Sequence, residues 1–372
     1  MWRTGSPRPR PGPGTRKPHQ RTGQPPYDGA VLYLTDPEEL ASIWPEEPGY
    51  RADQLRGWLY ETPVLTTDEM TNIPGLLRED LELWPFEVEA EQVADSGRTV
   101  KWLMRAPDGA SIEAVLMGYA KRTTLCISSQ AGCAMACTFC ATGQFGFERH
   151  LEAGEIVAQV AYAAAFLRRH GLGASPPRVT NVVFMGMGEP LANYRHVKTA
   201  IDRLTGTMGM SARSITVSTV GVAPAIRRLA EEPWRVSLAV SLHAADDELR
   251  STLVPLNKRY PLEEVIAATE YFMDATGRRP SIEWTLIAGT NDTMDQADQL
   301  ARIARRLRAH INVIALNPTP LTADQPPTAT ATRAFIDRLT NAGANVTLRD
   351  TRGQDIDAAC GQLRARQMTV EP

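Results

Sequence analysis

Gly132–Leu151 reads GCAMACTFCATGQFGFERHL, and within it Cys133, Cys137 and Cys140 form a C-x3-C-x2-C run. Three of the chain's five cysteines fall within eight residues, and that spacing supplies three thiolates, not four. Iron–sulfur carriers use four Cys per cluster and structural zinc needs a closed four-ligand shell, so a three-Cys set leaves one metal position unfilled by protein. An open position is where chemistry happens. The alternatives at this point are a zinc site completed by His150, the one further ligand within ten residues, and three uncoordinated core cysteines.

Outward from this run, beyond Lys121, short β-rich stretches alternate with amphipathic helical patterns. The stretches are TTLCISS, NVVFMGMG, SITVSTVG, VSLAVSLH, SIEWTLIAG and NVIALNP. Between them lie EIVAQVAYAAAFLRRH, with Ile156, Val157, Val160, Ala164 and Leu167 on one stripe, and ADQLARIARRLRAH, with Leu300, Ile303, Ala304 and Leu307. Six such β-α units predict a parallel sheet that right-handed crossovers curl into an open or partial barrel, with working residues after the carboxyl ends of the strands. The motifs land there. The three cysteines follow the first strand, Gly186-Met187-Gly188-Glu189-Pro190 the second, Ser218 closes the third, Ser241-Leu242-His243 the fourth, and Asn317-Pro318 the sixth. Taken singly, GMGEP is a glycine turn into a helix, His243 an ordinary satisfied histidine and Asn317 a turn residue before proline. Their shared rim is what lifts them.

Upstream, residues 87 to 128 switch to period two, with TVKWLMR and SIEAVLM flanking the hairpin turn Ala106-Pro107-Asp108-Gly109. Glu113 shares a face with Val115 and Met117, so it is either an edge carboxylate or an acid aimed into a site. From Pro37 to Trp84 the pattern is helical, with Leu55, Trp58 and Leu59 on one face and a cap at Thr66 or Thr67 before DEMTNIPGLLRED. Residues 1 to 27 hold Arg3, Arg8, Arg10, Arg16, Lys17 and Arg21, seven prolines and no acid. Such a tail cannot bury enough apolar surface to order itself, and offers at most salt-sensitive attraction to phosphate.

Length and composition set the bounds. At 372 residues with 43% hydrophobic content, two domains with sizeable cores are expected. No apolar run approaches a membrane span and no apolar signal core opens the chain, so a cytoplasmic protein with no membrane contact is expected. Clustered, odd-numbered cysteines suit a reducing compartment and argue against a disulfide scaffold. A net charge of -3 gives no global basic field, so nucleic-acid contacts must come from local patches. Lys121 and Arg122 are one such patch, or simply a solvated pair.

The cysteine run, with Phe139 just before its third Cys, resembles the signature of radical S-adenosylmethionine (SAM) enzymes, in which SAM chelates the fourth iron of a 4Fe–4S cluster. The chain as a whole resembles the RlmN/Cfr family of radical-SAM RNA methyltransferases, and its RlmN branch more. The likeness spans roughly residues 50 to 365 and rests on SSQAGCAMACTFCATGQ, FMGMGEPLAN, ITVST, VSLAVSLHA followed by LVPLNK, LNPTP and RDTRGQDIDAACGQL. FERHL departs from the more usual arginine-asparagine-leucine ending, and Val220 stands where a second serine is common. The resemblance implies an α/β fold, a partial (β/α)6 radical-SAM barrel over residues 121–365. It carries a helical accessory, RNA-gripping domain at 28–85 and a β-ribbon extension at 86–120, with tails at 1–27 and 366–372.

The same resemblance implies one 4Fe–4S cluster per subunit on Cys133, Cys137 and Cys140, two SAM molecules per turnover, and a reductant such as flavodoxin or ferredoxin. Gly188 and Glu189 would contact the amino-acid end of SAM, Ser218 its ribose, and Ser241, Leu242, His243 and Asn317 the rest of its pocket. The substrates implied are 23S rRNA, at carbon 2 of adenosine 2503, and tRNA, at adenosine 37; the rival within the family methylates C8, and the rival outside it is a non-catalytic iron–sulfur electron carrier or RNA-binding module. Carbon 2 of adenine lies between two ring nitrogens and is too electron-poor to attack a methyl group directly, which is why a radical route is useful. Cys360 would be methylated first, its methyl group then joined to the ring. Cys126, with a thiol pKa pulled below the free value of about 8.5, would deprotonate the adduct and release it through a transient Cys126–Cys360 disulfide. Glu113 matches the family's proton acceptor. Without that context, both cysteines read as inert buried small hydrophobes.

Overall fold

The computed structural model describes residues 31–79, 81–319, 322–349 and 352–363. The tails expected at 1–27 and 366–372 lie outside the described residues. The chain begins in short helical pieces. Helix α1, Tyr50–Arg56, runs on into a wider turn at Gly57–Glu61, and its face buries Leu55 and Leu59 completely while Trp58 donates to Asn72 Oδ1 at 2.6 Å. Thr66 does start a helix, with Glu69 reaching back to accept from the Thr66 amide at 3.3 Å, but that helix is a single turn, Thr67–Glu69. DEMTNIPGLLRED breaks because Pro74 has no N–H to give and sits in extended geometry; a second short piece, α2 Gly75–Arg78, starts after it.

An antiparallel meander follows: β1 Glu87–Ala94, β2 Thr99–Arg105 and β3 Ser111–Tyr119. The expected turn joins β2 to β3, with Ala106 and Ala110 hydrogen bonded and Gly109 at φ +88, a value that favours glycine. Strand β4, Arg122–Cys126, pairs antiparallel with β3 on one side and starts the parallel sheet on the other. The cysteine loop leaves its carboxyl end, pinched by the small pair β5 Gln130–Gly132 and β6 Phe147–His150, with a short helix α3, Ala141–Gln144, inside it. The alternation then proceeds through α4 Ala153–His170, β7 Asn181–Phe184, α5 Tyr194–Asp202, β8 Ile215–Thr219, α6 Ala223–Ala230 and β9 Ser237–Ser241. It continues with α7 Asp247–Leu253, α8 Leu262–Thr276, β10 Ser281–Leu286, α9 Met294–Arg306, β11 His310–Ala315, α10 Ala329–Asn341 and β12 Asn345–Leu348.

One ten-stranded sheet results, ordered β1-β2-β3-β4-β7-β8-β9-β10-β11-β12, and it is parallel from β4 onward. All six expected β-α units are present. Strand β12 is a seventh parallel strand that the sequence pattern did not announce: NVTL is short, pairs only with β11 and stays largely exposed, so it carries no apolar run. Residues 352–363 return from this edge to the meander at the other end. Gly353 N–H meets Asp95 Oδ2 at 3.1 Å and the Asp357 carbonyl accepts from Lys101 Nζ at 3.4 Å. The opening between the two ends of the sheet is thereby strapped by polar contacts.

Helix α4 is buried more completely than a one-sided stripe predicts. Its Ile156, Val157 and Val160 are fully buried, while the half-buried Tyr162 meets Trp84 of the helical module at 5.3 Å and Trp102 of β2 at 5.2 Å edge to face. The helical module and the meander thus share one apolar core with the barrel. No described helix is long and apolar enough to cross a membrane. Gly154, in the first turn of α4, lets the Tyr33–Leu34 backbone pass, since an added Cβ would lie 2.3 Å from the Tyr33 carbonyl oxygen. In an open helix Gly→Ala stabilises by about 1 kcal/mol; here we expect Gly154→Ala to destabilise by about 1–3 kcal/mol, read as a fall in the urea midpoint.

Candidate active site

The strand ends open onto a cavity of about 900 Å³, counted to its open mouth, within the size range of small-molecule sites. Cys133, Cys137 and Cys140 all line it, as do Gly188, Glu189, Ser218, Ser241 and His243 from three successive strand ends. Burial pushes the Cys133 thiol up to about 12 and raises Cys137 and Cys140 as well, with the three sulfurs repelling one another's charge. Left to themselves the thiols stay protonated; as thiolates they require a positively charged partner. Among the described residues no three His, Cys, Asp or Glu side chains stand close enough to hold one ion. A single zinc therefore fits poorly, and His150 is turned to Gln130 at 3.0 Å and Phe147 instead of the cavity. A cluster that gives each thiolate its own iron fits this donor set.

The GMGEP turn is a folded cradle. Gly188 has φ +98, and an added Cβ would come within 2.5 Å of the Gln130 side chain, whose Oε1 accepts from the Glu189 amide at 2.8 Å. The Glu189 carboxylate accepts from Leu191 N–H and Val220 N–H, both at 2.9 Å, so it fastens the β7 loop to the β8 loop. Burial lifts its pKa to about 7, against the pull of those two bonds. His243 has φ +59 and accepts the Thr285 amide on Nδ1 at 2.9 Å, which leaves the ring proton on Nε2. Burial and Arg250 lower its pKa to about 3, so the ring is neutral at physiological pH.

Two residues expected at the cofactor do not line this cavity. Leu242 lines neither cavity: its side chain points into the apolar core and its backbone is spent on Glu283 O and Arg250 Nε. Asn317 lines a second, smaller cavity and is used up on the C-terminal segment, donating to the Cys360 carbonyl and accepting from Gln354, each at 3.0 Å. Cys360 itself lines both cavities, and Cys126 lines the second. Cys126 does not have the depressed pKa its expected role asks for. Burial pushes it up to about 12, the Cys360 sulfur adds to the rise, and Arg349 opposes it.

Glu113 is neither an exposed edge carboxylate nor a lining residue of either cavity. It is buried and paired with Lys101 Nζ at 3.1 Å, on the face that Val115 and Cys126 share across the β3–β4 pair. The FERHL departure, His150 in place of asparagine, is absorbed locally by its contact with Gln130 at 3.0 Å, while Arg149 beside it bridges Asp108 at 2.6 Å and Glu155 at 2.7 Å. Val220 works through its backbone, between Glu189 and Arg250. The sequence reading missed Arg250, which is fully buried. Its guanidinium donates to Val220 O at 2.6 Å, Ser241 O at 3.4 Å, Leu242 O at 3.2 Å and Asn257 Oδ1 at 2.7 Å. Arg349, which faces both cysteines of the second cavity, was missed too. In sequence each is one more arginine beside a quoted motif.

The chain's residues 127–304 match the Radical SAM superfamily model. It is 48% identical over 356 residues to a Rhodococcus opacus (strain B4) protein named "Probable dual-specificity RNA methyltransferase RlmN", covering 93% of this chain and 96% of that one. The chain belongs to the RlmN family of radical SAM RNA methyltransferases. A Salinispora tropica member of the RlmN family is 46% identical over 358 residues. A crystal structure of a radical SAM methyltransferase from Sphaerobacter thermophilus superposes with a TM-score of 0.85 at 46% identity, covering 90% of this chain and 99% of that one. Membership of the RlmN family implies a 4Fe–4S cluster, SAM and an RNA substrate, and the three thiols and the GMGEP cradle suit the first two.

Two outcomes follow from this geometry. Arg250→Ala would take the donor from the Val220, Ser241 and Leu242 carbonyls and empty a fully buried site, and we expect a loss of about 3 kcal/mol in urea denaturation. With iodoacetamide at neutral pH, the exposed Cys360 should be alkylated while Cys126, buried and still a protonated thiol below its raised pKa, stays unmodified. Peptide mass spectrometry reads both, and faster labelling of Cys126 would contradict the placement.

Proposed function

We propose that this chain methylates carbon 2 of adenosine, at position 2503 of 23S rRNA and position 37 of tRNA, with Cys360 as the carrier of the methyl group. The observation that carries this reading is the position of Cys360 on the wall between two cavities, one holding the three cluster cysteines and the other holding Cys126. Cys133, Cys137 and Cys140 would hold the 4Fe–4S cluster, which when bound supplies the one-electron reduction that opens SAM and starts radical chemistry. One SAM would methylate Cys360 and a second would be consumed at the cluster, so two are used per turnover. Flavodoxin or ferredoxin is the class of donor that fits the one-electron requirement, and a reducing cytoplasm suits free thiols.

The chain's own groups do the rest. Gly188, packed against Gln130, would keep the turn in the shape that meets the amino-acid end of SAM, and Glu189 holds the loop in place. His243 presents Nε2–H as a fixed donor, with Ser218 and Ser241 beside it. Asn317 acts on the cofactor site at one remove, by holding the Cys360 carbonyl. The Cys360 sulfur accepts the methyl group on the first cavity's side and carries it toward a base in the second. Cys126 then takes part in breaking the sulfur–carbon link: its thiolate attacks the Cys360 sulfur, the S–S bond forms as the S–CH2 bond breaks, the electron pair leaving with the carbon takes up a proton to complete the methyl group on the base, and an external dithiol reductant returns both cysteines to thiols. That step needs the thiolate, so in the resting protein Arg349 must gain influence or the burial of Cys126 must relax when RNA enters. Glu113, on the same sheet face and paired with Lys101, would take up a proton released there, the role that the family resemblance implies for it.

Cys360→Ala should yield no methyl group on protein or RNA although cluster content is retained. Cys126→Ala should still methylate Cys360 and join it to adenine, then stall as a covalent RNA–protein adduct on a denaturing gel, removable by nuclease. Mass spectrometry of digested RNA places the methyl at C2. An adduct in the Cys360 variant, or normal turnover without Cys126, would overturn the division of roles.

A further inference from the structure

The second cavity has a rim that its two cysteines do not explain. Tyr119, the last residue of β3, lies under two guanidiniums, with Cζ of Arg122 at 4.2 Å and Cζ of Arg352 at 5.1 Å from its ring centroid. Arg122 is exposed, and among the described residues no carboxylate pairs with it. Arg349 sits deeper, against Glu283 at 3.4 Å and the Met185 sulfur at 3.5 Å. Inside the rim the wall is apolar, made by Met117, Val183, Met185, Ile314 and Leu363, with Cys126 and Cys360 between them. An apolar slot with guanidiniums at its mouth suits a flat heteroaromatic base inside and phosphate outside, the pattern by which single-stranded RNA is bound.

We propose that Arg122 and Arg352, held in place by Tyr119, form a phosphate clamp at the mouth of the second cavity, gripping the RNA backbone beside the nucleotide whose base enters between Cys126 and Cys360. This rests on the reading of Cys360 as the methyl carrier. Tyr119 is a positioning residue: a guanidinium already stacked on a ring has less freedom to lose when it meets a phosphate. Arg122 and Arg352 lie far apart in the chain, one opening β4 and one in the C-terminal segment. The clamp therefore forms only when that segment is strapped across the sheet opening, which ties RNA binding to the correct placement of Cys360.

The test uses the anaerobically reconstituted holoenzyme and a short RNA stem-loop with an adenosine in its loop, titrated over a series of KCl concentrations. Arg122→Gln and Arg352→Gln should each weaken binding several-fold at low salt and make log K against log[KCl] shallower by about 0.7, the value for one single-strand phosphate contact. The lysine variants should keep the slope. Tyr119→Leu should weaken binding with the slope retained, because both charges remain. Unchanged slopes in the glutamine variants overturn the clamp, as does loss of binding that merely tracks loss of cluster content. Labelled-methyl incorporation into Cys360 of the wild-type protein without RNA reports the underlying reading separately. If that fails while the slopes change as expected, the clamp stands and the methyl-carrier role falls; if it succeeds with slopes unchanged, the reverse holds.

Discussion

The buried guanidinium of Arg250 is the constraint around which the barrel mouth is organised. Parallel strands end with carbonyls pointing out of the sheet, and after β8 and β9 the partly buried Val220 and Ser241 carbonyls and the buried Leu242 carbonyl need donors. Arg250 supplies the donors from α7, reaching Val220, Ser241 and Leu242 at once, while Asn257 accepts from its remaining arm. Among the described residues it makes no salt bridge, Asp247 acting on it only at a distance, and burial lowers its pKa to about 10, so it remains charged at neutral pH. A cation fixed behind the strand ends favours negative charge on the cavity side, and the Cys137 sulfur is close enough for the two charges to influence one another. The same clamp holds Leu242 and Ser241 in place, so that His243 can occupy its left-handed backbone conformation and face the cavity with a defined tautomer.

Where chemistry requires a fixed spacing along the chain, the sequence was readable. The C-x3-C-x2-C run, the GMGEP turn and the β-rich stretches each declare themselves within ten residues, and the six parallel strands follow from period and alternation. What escaped is what depends on partners far apart in sequence. Lys101 and Glu113 sit on neighbouring strands, and only the pairing register shows that they meet instead of leaving Glu113 free to aim into the cavity. The depth of Cys126 is equally non-local, because its burial comes from the meander on one side and the returning C-terminal segment on the other. The one-sided stripe on α4 was a fair reading of the barrel but blind to the helical module, since Tyr162 and Phe166 need Trp84 and Trp102 to make a second buried face. The helix expected after Thr66 failed for a local reason, Pro74, that a stricter reading of the sequence would have caught.

The C-terminal segment joins these two kinds of information. Cys360 is exposed and belongs to no regular element, yet its surroundings are tied at several points. Asn317 holds its carbonyl, the Gly361 carbonyl accepts from Ala141 at 2.7 Å, and the Leu363 carbonyl accepts from Thr142 Oγ1 at 2.5 Å. Ala141 and Thr142 directly follow Cys140, so two of the three tethers run to the loop that carries the cluster thiols. A segment held by a few polar bonds and the burial of Ala358, Ala359 and Leu363 is marginal by itself. It gains order when the cysteine loop is ordered, and that loop has three buried thiols whose charged forms are stable only beside a positively charged centre. A positively charged centre held by those thiols would therefore steady Cys360, and the wall that it shares between the two cavities, through the Ala141 and Thr142 tethers.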